Sequence, residues 1–317
     1  MGTGTANNGC FKILSLDGGG LKGVFTASLL TEWETHAAKP IHKQFDLIAG
    51  TSTGGIIALA LGAGISAREI LELYTAEAST IFPEKSFGNL KHWTRVKHSA
   101  EGLERVLAKY LGDRTLGESL TRLVIPAFYA KRQEIYLFKT PHHERLRYDY
   151  KEKLTDVARA TAAAPTYLDP FTKESGLQLI DGGMFANNPV MIAVAEALGY
   201  LQVPQTSIKA ARIGTTTEVR PMDEYSDSGG KLAMAGPVVD YMMAGQELSA
   251  SGMVRHILGA ARFHEINPVA APGDFVLDKL STSLVGLGEH EFRKHCSDLA
   301  DKGFFTEKTH NYKPYYS

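Results

Sequence analysis

The stretch Asp46–Gly55, Asp-Leu-Ile-Ala-Gly-Thr-Ser-Thr-Gly-Gly, constrains this chain more than any other. Leu47 to Ala49 is a short apolar run that predicts a buried strand. Gly50-Thr51-Ser52-Thr53-Gly54 then matches G-x-S-x-G, and Ile56 to Leu61 predicts a helix behind it. Strand, sharp turn and helix are the context that a nucleophile elbow needs. Gly50 and Gly54 suit that turn because backbone must pass close to a strained serine. Ser52 then lies at a helix N-terminus, where free N–H groups and the helix dipole favour a developing negative charge. Ordinary glycine-rich turns also produce this pattern, so the rest of the chain has to decide.

Composition narrows the classes. A chain of 317 residues can bury a sizeable core as one large α/β domain. Lys and Arg total 34 and Asp and Glu total 35, a net charge of −1. That balance supplies no global pull toward nucleic acid or anionic lipid, and no nucleic-acid partner is expected. The cysteines are Cys10 and Cys296, too far apart in sequence to suggest a disulfide framework. They point to a reducing cytoplasm. Residues 1–10 lack the basic and apolar regions of a signal peptide and read as an N-terminal tail. Leu47 to Ile65 carries no charge and approaches bilayer-spanning length. Its glycines and its Thr51-Ser52-Thr53 turn favour strand-turn-helix over a membrane span.

Along the chain, Phe11 to Leu16 predicts the first strand, which ends in Asp17-Gly18-Gly19-Gly20-Leu21-Lys22-Gly23. Helical spacing resumes from Val24 to about His36, with Phe25, Leu29, Leu30 and Trp33 on one face. Ser66 and Glu69 have capping-box spacing at the head of the next helix. Residues 80–100 mix Phe82, Phe87 and Trp93 with Lys85, Lys91, Arg95 and Lys97, which suits a solvated loop or a membrane-touching lid. A helix over Glu101–Leu111 and strands over Arg122–Tyr129 and Glu134–Phe138 follow. The small-residue run Ala158–Ala164 predicts a closely packed helix ended by Pro165. A strand at Leu177–Ile180, a helix from Val190 to Tyr200 and a strand at Ser207–Gly214 come next. Past Pro221 the pattern weakens, with helices expected within Lys231–Leu258 and over Glu289–Asp301. The alternation predicts a three-layer α/β/α fold around a mainly parallel sheet. It divides into a catalytic domain at 11–220 and a mainly helical C-terminal extension at 221–317, packed on that domain.

Gly18, Gly20 and Gly23 also satisfy G-x-G-x-x-G after a strand. Dinucleotide binding wants an acidic residue after the second strand, and here that strand ends in the elbow instead. The other use of three consecutive glycines is an oxyanion hole, with the amides of Gly19, Gly20 and Leu21 converging on one oxygen. Loops after neighbouring parallel strands meet at one sheet edge, so this loop and the elbow can share a site. A serine nucleophile also needs a base. Asp181, at a strand end before Gly182 and Gly183, is the candidate, although Asp-Gly is equally a common turn pair.

Four co-linear blocks now stand together: Asp17 to Gly23, Gly50 to Gly55, Ala162-Ala163-Ala164-Pro165 and Asp181-Gly182-Gly183. They resemble the patatin-like phospholipase family over residues 11 to about 215. The resemblance implies a patatin-like fold and a Ser–Asp dyad that needs no metal, with Ser52 as nucleophile and Asp181 as base. It implies an oxyanion hole from Gly18, Gly19 and Gly20, supported by Lys22, Gly50, Gly54, Gly182 and Gly183. The implied substrate is the acyl ester of membrane phospholipid, reached by peripheral contact at the inner membrane face. One departure is Ile213-Gly214-Thr215-Thr216, which lacks a second glycine after Gly-Thr and predicts a shifted turn.

The chain's length and opening also resemble patatin-like effectors of antiviral signalling, which cyclic nucleotides switch on. That resemblance implies a cyclic nucleotide activator and no cofactor required for catalysis. Residues 80–100, 136–153 and the C-terminal third offer places for such a ligand, and no motif marks a nucleotide pocket. A homo-oligomer is compatible with the sequence. Two alternatives stay open. One is a soluble-ester hydrolase whose Ser-His-Asp triad draws on His256, His264, His290 or His295. The other is a ligand-sensing protein without catalysis.

Overall fold

The computed structural model describes residues 9–83, 98–218 and 235–317, apart from 272, 307 and 309. Strand β1 (Phe11–Leu16) is buried at all six positions, as a central parallel strand must be. Its side chains alternate between two cores: Leu14 and Leu16 enter one, Phe11 and Ile13 the other. β1 pairs in parallel with β2 (Leu47–Gly50) on one side, Leu16 opposite Gly50. On the other side it pairs in parallel with β7 (Ile208–Ile213), Leu16 opposite Ile213. Parallel pairing continues from β2 to β3 (Arg122–Tyr129) and from β7 to β9 (Phe263–Ile266).

Beyond β2 the sheet becomes antiparallel. β4 (Glu134–Lys139) forms a hairpin with β3. β6 (Gln178–Asp181) pairs with the end of β3 and carries the short β5 (Phe171–Thr172) at the edge. β3 therefore changes neighbour along its length, from β2 at residues 122–124 to β6 at 127–129. β4 pairs along the opposite side of β3 from Val124 to Tyr129. β2 and β6 thus approach each other end to end. A separate parallel pair joins β8 (Thr217–Glu218) and β10 (Val269–Ala270).

Helices cover both faces. The larger core lies under α1 (Gly23–Ala37), α3 (Thr53–Gly62), α4 (Ala67–Ile81), α5 (Glu101–Leu111), α6 (Leu154–Thr161) and α10 (Ser283–Asp301), with the one-turn α2 (Ile41–Gln44) beside α1. The smaller core lies under α8 (Val190–Gly199) and α9 (Ala235–Leu258), with the single turn α7 (Gly183–Ala186) leading into α8. Phe25, Leu29, Leu30 and Trp33 of α1 are all fully buried, as their helical spacing predicts. Ser66 accepts from the Glu69 amide at 3.3 Å while Glu69 accepts from the Ser66 amide at 2.9 Å, completing the capping box. Every residue of α3 is buried, so the uncharged stretch at 47–65 is apolar because it crosses the core. Among the described residues, no helix is long and apolar enough to cross a membrane.

Some boundaries differ from expectation. The small-residue helix starts earlier and stops at Thr161, and Ala162 to Pro165 form a turn. α10 begins at Ser283, six residues before Glu289. β9 is absent from the sequence reading. It has four residues, and its buried His264 and half-buried Glu265 hide the apolar signal of Phe263 and Ile266. Most of the 80–100 segment, and the start of the 231–258 helix, lie outside the described residues.

Candidate active site

β2 ends at Gly50, and α3 begins at Thr53 with Ser52 as its N-cap. Ser52 holds φ +54° and ψ −122°, a strained conformation for a residue with a side chain. The flanking glycines leave no alternative. A Cβ on Gly50 would stand 2.1 Å from the Gly54 carbonyl oxygen, and one on Gly54 would stand 2.2 Å from that of Leu16. The elbow is pinned from outside by Thr161 at the end of α6. Its hydroxyl accepts from the Ser52 amide at 3.0 Å and donates to the Pro126 carbonyl at 2.6 Å. Pro126 lies where β3 changes neighbour, a position at which its missing N–H costs no ladder bond.

Asp181 reaches the elbow along β6, opposite Ala127 of β3. β6 runs against the parallel strands, so its last residue points toward the end of β2. The Asp181 amide donates to the Ala163 carbonyl at 3.0 Å, which ties the Ala162–Pro165 turn to the end of β6. Gly183 donates its amide to the Asp181 Oδ1 at 2.7 Å. Gly182 is required because a Cβ there would stand 2.4 Å from the Pro126 carbonyl oxygen. Asp181 is only 6% exposed. Burial pushes its pKa up to about 6, opposed by hydrogen bonding from the Gly183 amide and the Ser52 hydroxyl.

The glycine loop closes the third side. Gly18 packs on the serine, its ideal Cβ position 3.2 Å from the Ser52 Cβ. The Gly18 amide donates to the Asn187 carbonyl at 3.1 Å, and the Leu21 amide to the Leu277 carbonyl at 2.7 Å. Gly19 and Gly20 are left as loop amides with no acceptor among the described residues. Gly20 sits at φ +58°, which only glycine adopts without cost. Lys22 ends the 3-10 turn Gly20–Lys22 that opens α1. Burial lowers its pKa, opposed by Glu218, Glu247 and Asp240. Thr215 donates to the Gly18 carbonyl at 2.7 Å, and Thr216 itself takes φ +81°.

Motif reading missed Thr161, Asn187, Arg212 and Glu247. Arg212 did leave a signal: a lone arginine among the apolar residues at the end of β7. The triad candidates lie elsewhere. His264 bonds His295 at 3.1 Å, His295 pairs with Glu291, and His256 and His290 are exposed. Among the described residues, no histidine hydrogen-bonds Ser52 or Asp181. A strained serine on a strand-to-helix turn, a buried carboxyl beside it and two loop amides without an acceptor among the described residues thus meet at one edge of the sheet.

The Patatin-like phospholipase family model matches residues 14–194. This chain therefore belongs to the patatin-like phospholipase family, a family of lipid acyl hydrolases. It is 34% identical over 91% of its length to a cGAMP-activated phospholipase of Pseudomonas aeruginosa, covering 90% of that protein. It is 32% identical over 95% of its length to a cGAMP-activated phospholipase of Vibrio cholerae, covering 96% of that protein. VipD from Legionella pneumophila shares the fold at TM-score 0.53 and 12% identity, over 92% of this chain and 67% of that one.

Proposed function

We propose that this chain hydrolyses the fatty-acyl ester of a membrane phospholipid through a Ser52–Asp181 dyad, and that a cyclic nucleotide switches it on. One observation carries the dyad: Asp181 is buried beside the Ser52 hydroxyl with its pKa raised to about 6. Such a carboxylate is ionised at neutral pH, yet is a better base than a free one near pKa 4.

Ser52 Oγ attacks the ester carbonyl carbon as its proton passes to Asp181. The oxyanion that forms is held by the Gly19 and Gly20 amides and the positive end of α3. The bond to the leaving alcohol breaks, and Asp181 returns the proton to that oxygen. Water then attacks acyl-Ser52, Asp181 takes the water proton, and Ser52 leaves reprotonated with release of the fatty acid. Nucleotide gating is supported by the cGAMP-activated relatives, which match this chain over at least nine-tenths of its length. Access to lipid by contact with the bilayer surface completes the reading.

The test is fatty-acid release from phosphatidylethanolamine–phosphatidylglycerol vesicles by wild type and Ser52→Ala, with and without cGAMP. Release that needs both Ser52 and cGAMP is expected. Release that survives Ser52→Ala removes the nucleophile. Equal release with and without cGAMP removes that activator and keeps the hydrolase. Cleavage of soluble esters alone favours the soluble-ester alternative.

A further inference from the structure

Beneath the glycine loop lies a buried charged cluster that the acyl-transfer steps do not use. Arg212, 2% exposed in its side chain, faces three carboxylates. Its Nε donates to Asp17 Oδ2 at 2.9 Å, and its Nη2 pairs with the same oxygen and with Glu247 Oε2 at 3.1 Å. Its Nη1 donates to the Ser251 hydroxyl at 3.2 Å and pairs with Glu265, which Arg255 meets from outside at 2.8 Å. Asp17 is the residue immediately before Gly18.

The cluster reaches the loop by a second route. Glu247 Oε1 accepts from the Asn187 side-chain amide at 2.6 Å. Asn187 in turn grips Gly18 from both sides, its carbonyl accepting from the Gly18 amide and its side chain donating to the Gly18 carbonyl at 3.5 Å. Asn187 also follows directly on α7, which Asp181 introduces. Asn188 ties the same segment to Ser251 at 3.0 Å. One guanidinium thus connects the glycine loop, the segment after Asp181 and helix α9.

We propose that Arg212 is the positioning residue that aims the Gly19 and Gly20 amides, and that Glu247 carries this control to α9. The planar fork is what lets one side chain hold carboxylates from three elements, and an ammonium cannot reproduce it. Displacing loop donors by about an ångström is enough to cost about a hundredfold in rate. α9 therefore has a hydrogen-bonded line to the loop through which its own movement would tune turnover. This rests on the serine hydrolase reading above.

The experiment compares full-length wild type, Arg212→Lys and Glu247→Gln. Two readouts are taken: amide exchange of the Leu16–Gly23 peptide, and kcat and KM for a p-nitrophenyl ester per site titrated with a fluorophosphonate. Expected are faster exchange in that peptide and a kcat per titrated site lower by about ten- to a hundredfold, with KM within about twofold. A role in folding alone would reduce the titrated fraction and leave kcat per site untouched, which overturns the proposal. Unchanged loop exchange overturns it as well. Should Arg212→Lys fail to fold, Glu247→Gln, whose side chain stays the same size, carries both readouts. Faster loop exchange together with turnover that survives Ser52→Ala would instead overturn the hydrolase reading and leave the loop assignment standing.

Discussion

The backbone amide of Ser52 donates to the side-chain hydroxyl of Thr161 at 3.0 Å, and that hydroxyl in turn donates to the Pro126 carbonyl at 2.6 Å. One buried threonine therefore satisfies two backbone groups that no strand or helix partner reaches. It also fixes the height of the elbow relative to β3, along which Asp181 arrives. Thr161→Val keeps the shape and removes both bonds. We expect a loss of about 1–3 kcal/mol in chemical denaturation, the cost of leaving buried polar groups unpaired. Turnover per folded molecule should fall by about tenfold or more as Ser52 shifts against Asp181.

The raised pKa of Asp181 has two consequences of opposite sense. Folding shifts this carboxyl from 3.8 to about 6, so the folded chain binds the proton more tightly than the unfolded chain. Its contribution to stability is thus greatest below about pH 4 and is lost as pH rises through about 6. Activity runs the other way, because the base must be ionised. kcat/KM should climb about tenfold per pH unit below 6 and level off above 7. Asp181→Asn should abolish that limb and raise stability at pH 8 by roughly 1–3 kcal/mol. Comparing the two chains isolates Asp181 from Asp17, which burial pushes up to about 7 against the opposing pull of Arg212.

Two glycines of the site should fail differently on substitution by alanine. At Gly54 the new methyl meets the Leu16 and Asp17 carbonyl oxygens at 2.2 and 2.7 Å, and β1 cannot move to make room. Gly54→Ala should cost about 3 kcal/mol or more and show chiefly as lost folded protein. At Gly18 the obstacle is the Asn187 side-chain oxygen at 2.2 Å, which can swing aside. Gly18→Ala should fold within about 1–2 kcal/mol of wild type, yet lose about a hundredfold in kcat as the loop is displaced from Ser52. Thermal melts beside turnover numbers separate the two outcomes.

Thr216 holds φ +81°, and its buried hydroxyl has no partner among the described residues. A β-branched residue pays for that backbone, and glycine does not. Thr216→Gly should raise stability by about 1 kcal/mol with no change in kcat. A fall in stability would mean that the Thr216 methyl packing outweighs the strain.

What the sequence disclosed, it disclosed locally. Ser52, Asp181 and their glycines are readable because each turn demands particular residues within a few positions. The capping box of α4 and the buried face of α1 are readable for the same reason. The supports of the site are not local. Asp17 meets Arg212 across 195 positions, and Ser52 meets Thr161 across 109. No periodicity records such pairs. β9 escaped notice because its buried His264 and half-buried Glu265 pair with groups on α10, α9 and β7, which disguises a core strand as a polar one. Thr216 shows a further limit. Its positive φ, a backbone conformation that suits glycine, leaves no mark in the sequence.

The dyad itself is tested most directly by Asp181→Asn, assayed for fatty-acid release from phospholipid vesicles at pH 8 beside alanine variants of His256, His264, His290 and His295. Asp181→Asn should lose about a thousandfold in kcat while folded, and each histidine variant should stay within about threefold of wild type. Hydrolysis retained in Asp181→Asn, or abolished by a single histidine variant that still folds, would rule out the Ser52–Asp181 dyad.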